Sequence, residues 1–182
     1  ARTDFIVEKA AEMGAARILP VGTDYTNSER IRQDRLQAHA VEAAEQCGGT
    51  YVPEVCDLQK LSQLLDHWPA ERQLMFCDEA EVGQRLFLDI AQGSAGPEGG
   101  REAPALGGGT GADRSAGEPV GKLSLQPWAI LIGPEGGFSD KERKRLHAME
   151  QAHVVSLGPR ILRADTAAVA AMTLWQQTLG DW

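Results

Sequence analysis

Twice near its C-terminus the chain runs an apolar segment into a Gly-Pro loop and out into a helix. The first passage is Ile130-Leu131-Ile132-Gly133-Pro134-Glu135-Gly136-Gly137-Phe138, the second Leu157-Gly158-Pro159-Arg160-Ile161-Leu162-Arg163-Ala164-Asp165-Thr166-Ala167. Each reads as strand, sharp turn and helix N-terminus. In open α/β sheets ligands sit at the carboxyl ends of strands, where glycines let backbone approach closely and helix starts offer unpaired N–H groups. Two such loops side by side make a pocket.

The rest of the chain supports the same class. Asp4 suits the cap of a first helix with Ile6, Val7, Ala10 and Met13 on one face and Gly14 as its stop, followed by a strand at Arg17 to Val21. A second helix is expected over Asp34 to Cys47, closed by Gly48-Gly49, then a strand from Tyr51 to Val55. Leu58, Leu61, Leu64 and Leu65 mark a third helix before a strand at Gln73 to Cys77, and Leu86 to Ala91 reads as helical. Trp128 to Ile132 and His153 to Leu157 are the strands that feed the two loops. A final helix runs from Asp165 to Leu179 with Ala168, Met172 and Trp175 on one face. This alternation predicts an α/β fold: a mainly parallel sheet with helices on both faces, in one domain over 1–182.

Residues 93–122 hold ten of the twenty glycines, three prolines and almost no large apolar side chain, which predicts a disordered insert. Within it Gly96-Pro97-Glu98-Gly99-Gly100 repeats the pentapeptide of Gly133 to Gly137. Only the second copy follows a buried-type strand and precedes a capping box, Ser139-x-x-Glu142, so context selects the second.

Composition narrows the chemistry. The net charge of −8 argues against a surface that holds nucleic acid mainly by attraction to phosphates, although Lys141, Arg143, Lys144 and Arg145 form a local basic cluster that reads first as a solvated helix face. Three cysteines, Cys47, Cys56 and Cys77, lack C-x-x-C spacing and suit free thiols in a reducing cytoplasm. No membrane-length apolar run, no G-x-x-x-x-G-K-[ST] and no G-x-S-x-G occur, and His39, His67, His147 and His153 have no metal-ligand spacing. Neither a membrane nor a metal is expected as a partner. Arg163 could hold an anionic or carbonyl-bearing substrate by paired hydrogen bonds, or tie the two loops together through Glu135.

Thr3-Asp4-Phe5-Ile6-Val7-Glu8-Lys9-Ala10-Ala11-Glu12-Met13-Gly14, then Glu42-Ala43-Ala44-Glu45-Gln46-Cys47, Leu131 to Phe138 and Leu157 to Ala167 resemble, in order, the motifs of the RsmE family. Those are SPOUT-superfamily methyltransferases acting on N3 of a uridine in 16S ribosomal RNA. The resemblance implies a C-terminal trefoil knot, a homodimer, the small ribosomal subunit or its 16S RNA as partner, and S-adenosylmethionine as cofactor. Cys77, Asp78, Ile132, Gly133, Pro134, Glu135, Gly136, Gly137, Leu157, Gly158, Pro159, Ile161, Leu162, Arg163, Thr166 and Ala167 would then bind the cofactor. Arg163 and Asp165 become the catalytic candidates, and Glu45 and Gln46 the substrate-binding ones. The other reading is a non-catalytic RNA-binding or ribosome-assembly module that keeps the fold. Family members commonly begin with a small PUA-like β-barrel, and none is expected within residues 1–182. Gly48-Gly49-Thr50 stands where the family commonly has an arginine, and Asp165 replaces the more usual glutamate.

Overall fold

The computed structural model describes residues 2–26, 30–78 and 126–182. The expected helix at Leu86 to Ala91, the expected insert at 93–122 and the first Gly-Pro-Glu-Gly-Gly copy lie outside the described residues.

Helix α1 (Arg2–Glu12) buries Val7 and Ala11 against Leu36, Ala40 and Ala43 of α2 (Gln33–Cys47). Asp4 is not the cap expected of it. The helix is already under way at Arg2, and the Asp4 carboxylate is buried within it, accepting from Arg35 at 2.6 Å and so fastening α1 to α2. At the far end of α2, Gly48 turns into the left-handed region at φ 72°, letting the N–H groups of Gly48 and Gly49 return to the carbonyls of Glu45 and Ala44.

The expected strand from Arg17 to Val21 is split into β1 (Arg17–Ile18) and β2 (Val21–Gly22) by Leu19-Pro20, because Pro20 has no N–H to give a ladder. Each half finds its own parallel partner: β3 (Glu54–Val55) for β1 and β4 (Gln59–Lys60) for β2. Pro53 likewise confines the expected strand at Tyr51 to Val55 to β3. Helix α3 (Leu61–Asp66) starts later than its leucines suggest, since Gln59 and Lys60 are taken by β4.

The second half is a three-stranded parallel sheet in the order β6-β5-β7, formed by β5 (Gln73–Cys77), β6 (Trp128–Ile132) and β7 (Ala152–Val155). The central strand β5 is apolar almost throughout because both its faces are covered. Leu74 and Phe76 join Leu131 beneath Leu61 and Leu65 of α3 and Leu146 of α4 (Asp140–His147), and the ring of Phe138 meets Phe76 edge-on at 5.2 Å. On the opposite face Met75, Cys77, Ile130, Ile132 and Val155 pack against Ala171, Leu174 and Trp175 of α5 (Ala164–Leu179). Register aligns Cys77 with Ile132 and with Val155, so the three carboxyl ends finish level.

Helix α5 begins one residue before Asp165, with Arg163 as N-cap, and its buried face is Ala167, Ala168, Ala171 and Gln176 rather than one led by Met172. Gln176 is the clasp between the two ends of the chain: its amide donates to the Met13 carbonyl at 2.6 Å, and its Oε1 accepts from the Asp181 N–H at 3.1 Å. Gly180 lies so close that a Cβ there would overlap the Gln176 side chain. Gln176→Leu leaves the Met13 carbonyl without this donor, and the expected loss is about 1–3 kcal/mol, read as a lower urea midpoint at unchanged slope. An unchanged midpoint would mean that the clasp adds nothing to stability.

Candidate active site

A cavity of about 240 Å³ opens where the three strands end. Cys77 and Asp78 reach it from the end of β5, Ile132 from the end of β6, Gly133, Pro134 and Glu135 from the β6–α4 loop, Val155 from the end of β7, and Ser156, Leu157 and Gly158 from the residues that follow it. The loop into α5 closes the wall with Arg160, Ile161, Leu162 and Arg163, followed by Ala164 and Ala167 of the helix.

The two loops are built by different means. Ser139 starts α4 with a reciprocal capping box: its hydroxyl accepts from the Glu142 N–H, and the Glu142 carboxylate accepts from the Ser139 N–H. The turn before it closes with a 2.9 Å bond from the Gly137 N–H to the Pro134 carbonyl, and Gly137 sits at φ 68°. Gly133 answers to packing rather than conformation, since a Cβ there would stand 2.8 Å from Cε2 of Phe138. Gly158 is the reverse case. Its φ of 114° disfavours any side chain, and nothing lies within 4 Å of where a Cβ would stand, which leaves its backbone open toward the cavity.

Asp78 is the buried charge of the site, its side chain 1% exposed. Its Oδ2 accepts from Nε of Arg143 at 2.9 Å and meets Nε2 of His147 at 3.2 Å, both on α4. Two members of the basic cluster therefore have structural partners, because Arg145 also pairs with Asp66 at 2.7 Å. The other histidines are equally occupied, His39 with Glu8, His67 with the Gln63 carbonyl and His153 with Gln73. Burial pushes the Cys77 thiol up to about 12, so it remains a protonated, apolar wall.

Glu135 is claimed by Arg2, at the start of α1, through a 2.5 Å ion pair across the cavity edge. That bond is the main cause holding the Glu135 carboxyl below its usual range. The choice left open for Arg163 is thereby narrowed: Glu135 is bound elsewhere, and no hydrogen bond or ion pair joins the Arg163 guanidinium to another described residue. Asp165 does not line the cavity. Its Oδ1 accepts from the N–H of Thr166 at 2.8 Å within the first turn of α5.

Of the candidates read from sequence, Gly136, Gly137, Pro159 and Thr166 lie in the surrounding loops or helix without lining the cavity. Glu45 and Gln46 are exposed at the end of α2, in the part of the molecule built on the other core cluster. Sequence reasoning missed Arg2, Phe138, Val155, Ser156, Arg160 and Ala164. Most of these adjoin residues that were named, but Arg2 is 133 positions from Glu135 and only the folded chain brings it there.

A parallel-sheet α/β domain with a glycine-lined cavity at its strand ends is the frame of a small-ligand enzyme site. The RNA methyltransferase domain family matches residues 1–104 and 112–176. Ribosomal RNA small subunit methyltransferase E of Bacillus subtilis is 29% identical over 181 residues, covering 94% of this chain and 59% of the relative. The protein of that name from Rickettsia conorii is 25% identical over 167 residues, covering 91% and 55%. Among solved structures, ribosomal RNA small subunit methyltransferase E from Neisseria gonorrhoeae bound to S-adenosylmethionine aligns with a TM-score of 0.67 at 26% identity, over 100% of this chain and 62% of that one. A putative methyltransferase from Legionella pneumophila, in complex with the bound cofactor SAM, shares the fold with a TM-score of 0.70 at 24% identity, over 97% and 61%. The chain belongs to the RNA methyltransferase domain family, among the RsmE proteins. It spans between 55% and 59% of these two relatives' lengths.

Two outcomes follow from the loop geometry. Gly133→Ala is expected to cost about 1–3 kcal/mol by overpacking against Phe138, and to cost much less in a Phe138→Leu background; equal costs in a double-mutant cycle would separate the two positions. Arg2→Met is expected to move the Glu135 carboxyl pKa upward in an NMR titration. Because the folded pKa is depressed, the pair's contribution is present above the ordinary glutamate pKa and fades as pH falls through the folded value; it is small and salt-sensitive at this exposure.

Proposed function

We propose that the chain is the catalytic domain, over 1–182, of an S-adenosylmethionine-dependent methyltransferase that acts on uridine N3 in 16S ribosomal RNA. The observation that carries this reading is the cavity itself. Its floor is apolar at Ile132, Leu157, Leu162 and Ala167, its strand ends bring Asp78 and open backbone, and Gly158 leaves room where any other residue would put a side chain. That mixture suits a ligand with an aromatic base, a sugar and a charged tail. S-adenosylmethionine would supply an electrophilic methyl group.

Uracil N3 carries a weakly acidic proton, and its loss leaves negative charge spread over the neighbouring carbonyl oxygens. Arg163 is proposed to donate hydrogen bonds to one of those oxygens, stabilising charge that is largest in the transition state. Asp165 stands outside the cavity, so the N3 proton passes to bulk water. The new N–C bond would form as the bond between the methyl group and the cofactor's sulfur breaks, with S-adenosylhomocysteine as the leaving group. Orientation of the base against the cavity carries much of the remaining work. We also propose that the two loops belong to a trefoil knot, and that the protein works in the cytoplasm as a homodimer on the small ribosomal subunit. The convergence of both loops on one cavity and the family membership support this. No helix among the described residues is long and apolar enough to cross a membrane, and no group of three or more His, Cys, Asp or Glu that could hold a metal ion is found among them.

Calorimetry with S-adenosylhomocysteine is expected to report one site per chain. No heat and no thermal shift at millimolar ligand would remove the cofactor reading, and binding without methyl transfer to small subunits would favour the non-catalytic module. Arg163→Ala is expected to leave cofactor affinity within a few-fold while lowering turnover about 100-fold or more. If affinity and turnover fall together, Arg163 supports the loop and is not catalytic.

A further inference from the structure

The loop between β7 and α5 presents an unusual surface at the edge of the cavity. Ile161 is 73% exposed, the most exposed of the large apolar side chains among the described residues. It lines the cavity, as do Arg160 before it and Arg163 two residues after it, and all three are exposed. No hydrogen bond or ion pair joins either guanidinium to another described residue, in contrast to Arg2, Arg35, Arg143 and Arg145, which all hold carboxylates. On a chain with a net charge of −8, cations left without carboxylates at a cavity mouth mark the place where an anion is to be met.

An apolar side chain with an arginine on either side matches one chemistry closely: a nucleotide in a single strand, whose base offers a flat apolar face and whose flanking phosphates take planar guanidinium forks. Resting on the methyltransferase reading above, we infer that Arg160 and Ile161 form the entry subsite for the single-stranded RNA that delivers its base to the cavity. Arg160 holds a backbone phosphate adjoining the target nucleotide, and Ile161 packs against a base or ribose beside it. Arg163 is left to the base that enters. Arg160 is thus a substrate-positioning residue with no part in holding the cofactor.

The test uses this chain, a short fluorescein-labelled oligouridylate and S-adenosylhomocysteine. RNA affinity is measured by anisotropy between about 50 and 200 mM salt, and cofactor affinity by calorimetry. Arg160→Ala is expected to weaken RNA binding and to flatten the slope of log affinity against log salt by about 0.7, the value for one phosphate contact on a single strand. Arg160→Lys is expected to restore the slope, because an ammonium still neutralises a phosphate. Ile161→Ser is expected to weaken RNA binding about five-fold at every salt concentration, with the slope unchanged. S-adenosylhomocysteine affinity stays within two-fold of the unaltered chain in both Arg160 variants.

An unaltered slope in Arg160→Ala overturns the inference, as does failure of the unaltered chain to bind the oligonucleotide at low salt. So does a parallel loss of cofactor affinity in Arg160→Ala, which would make Arg160 a support for the cofactor loop. A shift from dimer to monomer in Ile161→Ser, seen by sedimentation, overturns it in favour of a second copy of the chain as the occupant. If the unaltered chain binds no S-adenosylhomocysteine, the methyltransferase reading itself fails; if it binds the cofactor while RNA affinity ignores both positions, only the entry subsite fails.

Discussion

The parallel pairing of β5 with β6 on one side and β7 on the other is the constraint on which the site depends. A central strand of a parallel sheet loses solvent from both faces, so Leu74 and Phe76 must find α3 and α4 while Met75 and Cys77 must find α5. Once both faces are covered, register leaves no freedom at the carboxyl end, where Cys77, Ile132 and Val155 lie side by side. A slip of one residue would exchange the two faces and bury the wrong side chains. The cavity is therefore a product of core packing, and the loops that line it inherit their positions from the strands.

Electrostatically the site divides into an inner and an outer zone. Asp78 is withdrawn from water and satisfied by Arg143 and His147, which ties the end of β5 to α4. A lone buried carboxylate would be costly to desolvate, and a donor on the covering helix offsets that cost. At the edge the charges are solvated and cationic, apart from Glu135, which Arg2 neutralises. An acidic protein can thus present a basic mouth, and the overall charge says little about what the cavity admits.

How far this was legible in the sequence varied with how local the cause was. β5 and β6 could be read to the residue because continuous apolar runs bounded by turn residues have few other fates. The Ser139 capping box was equally plain. Prolines were underweighted: Pro20 and Pro53 each cut a strand whose side chains alone looked suitable. Asp4 was misread because a carboxylate in a first turn has the same appearance whether it caps its own helix or reaches Arg35 on another. Most of the cavity wall was anticipated from the two Gly-Pro loops, whereas Arg2 was out of reach because no local pattern signals a contact made across nearly the whole chain.

Gly133 and Phe138 carry a consequence for how this sequence is able to vary. The glycine lies in a loop that invites a ligand-based explanation, yet the atom that forbids a methyl group there belongs to the protein's own aromatic ring. That ring also meets Phe76 in the core. The two positions therefore form one unit of inheritance: the loop accepts a side chain at 133 only after the ring at 138 has shrunk, and a smaller ring gives up contact with the sheet. Mutational drift at the cavity edge is restrained from within, by the same packing that holds the sheet together.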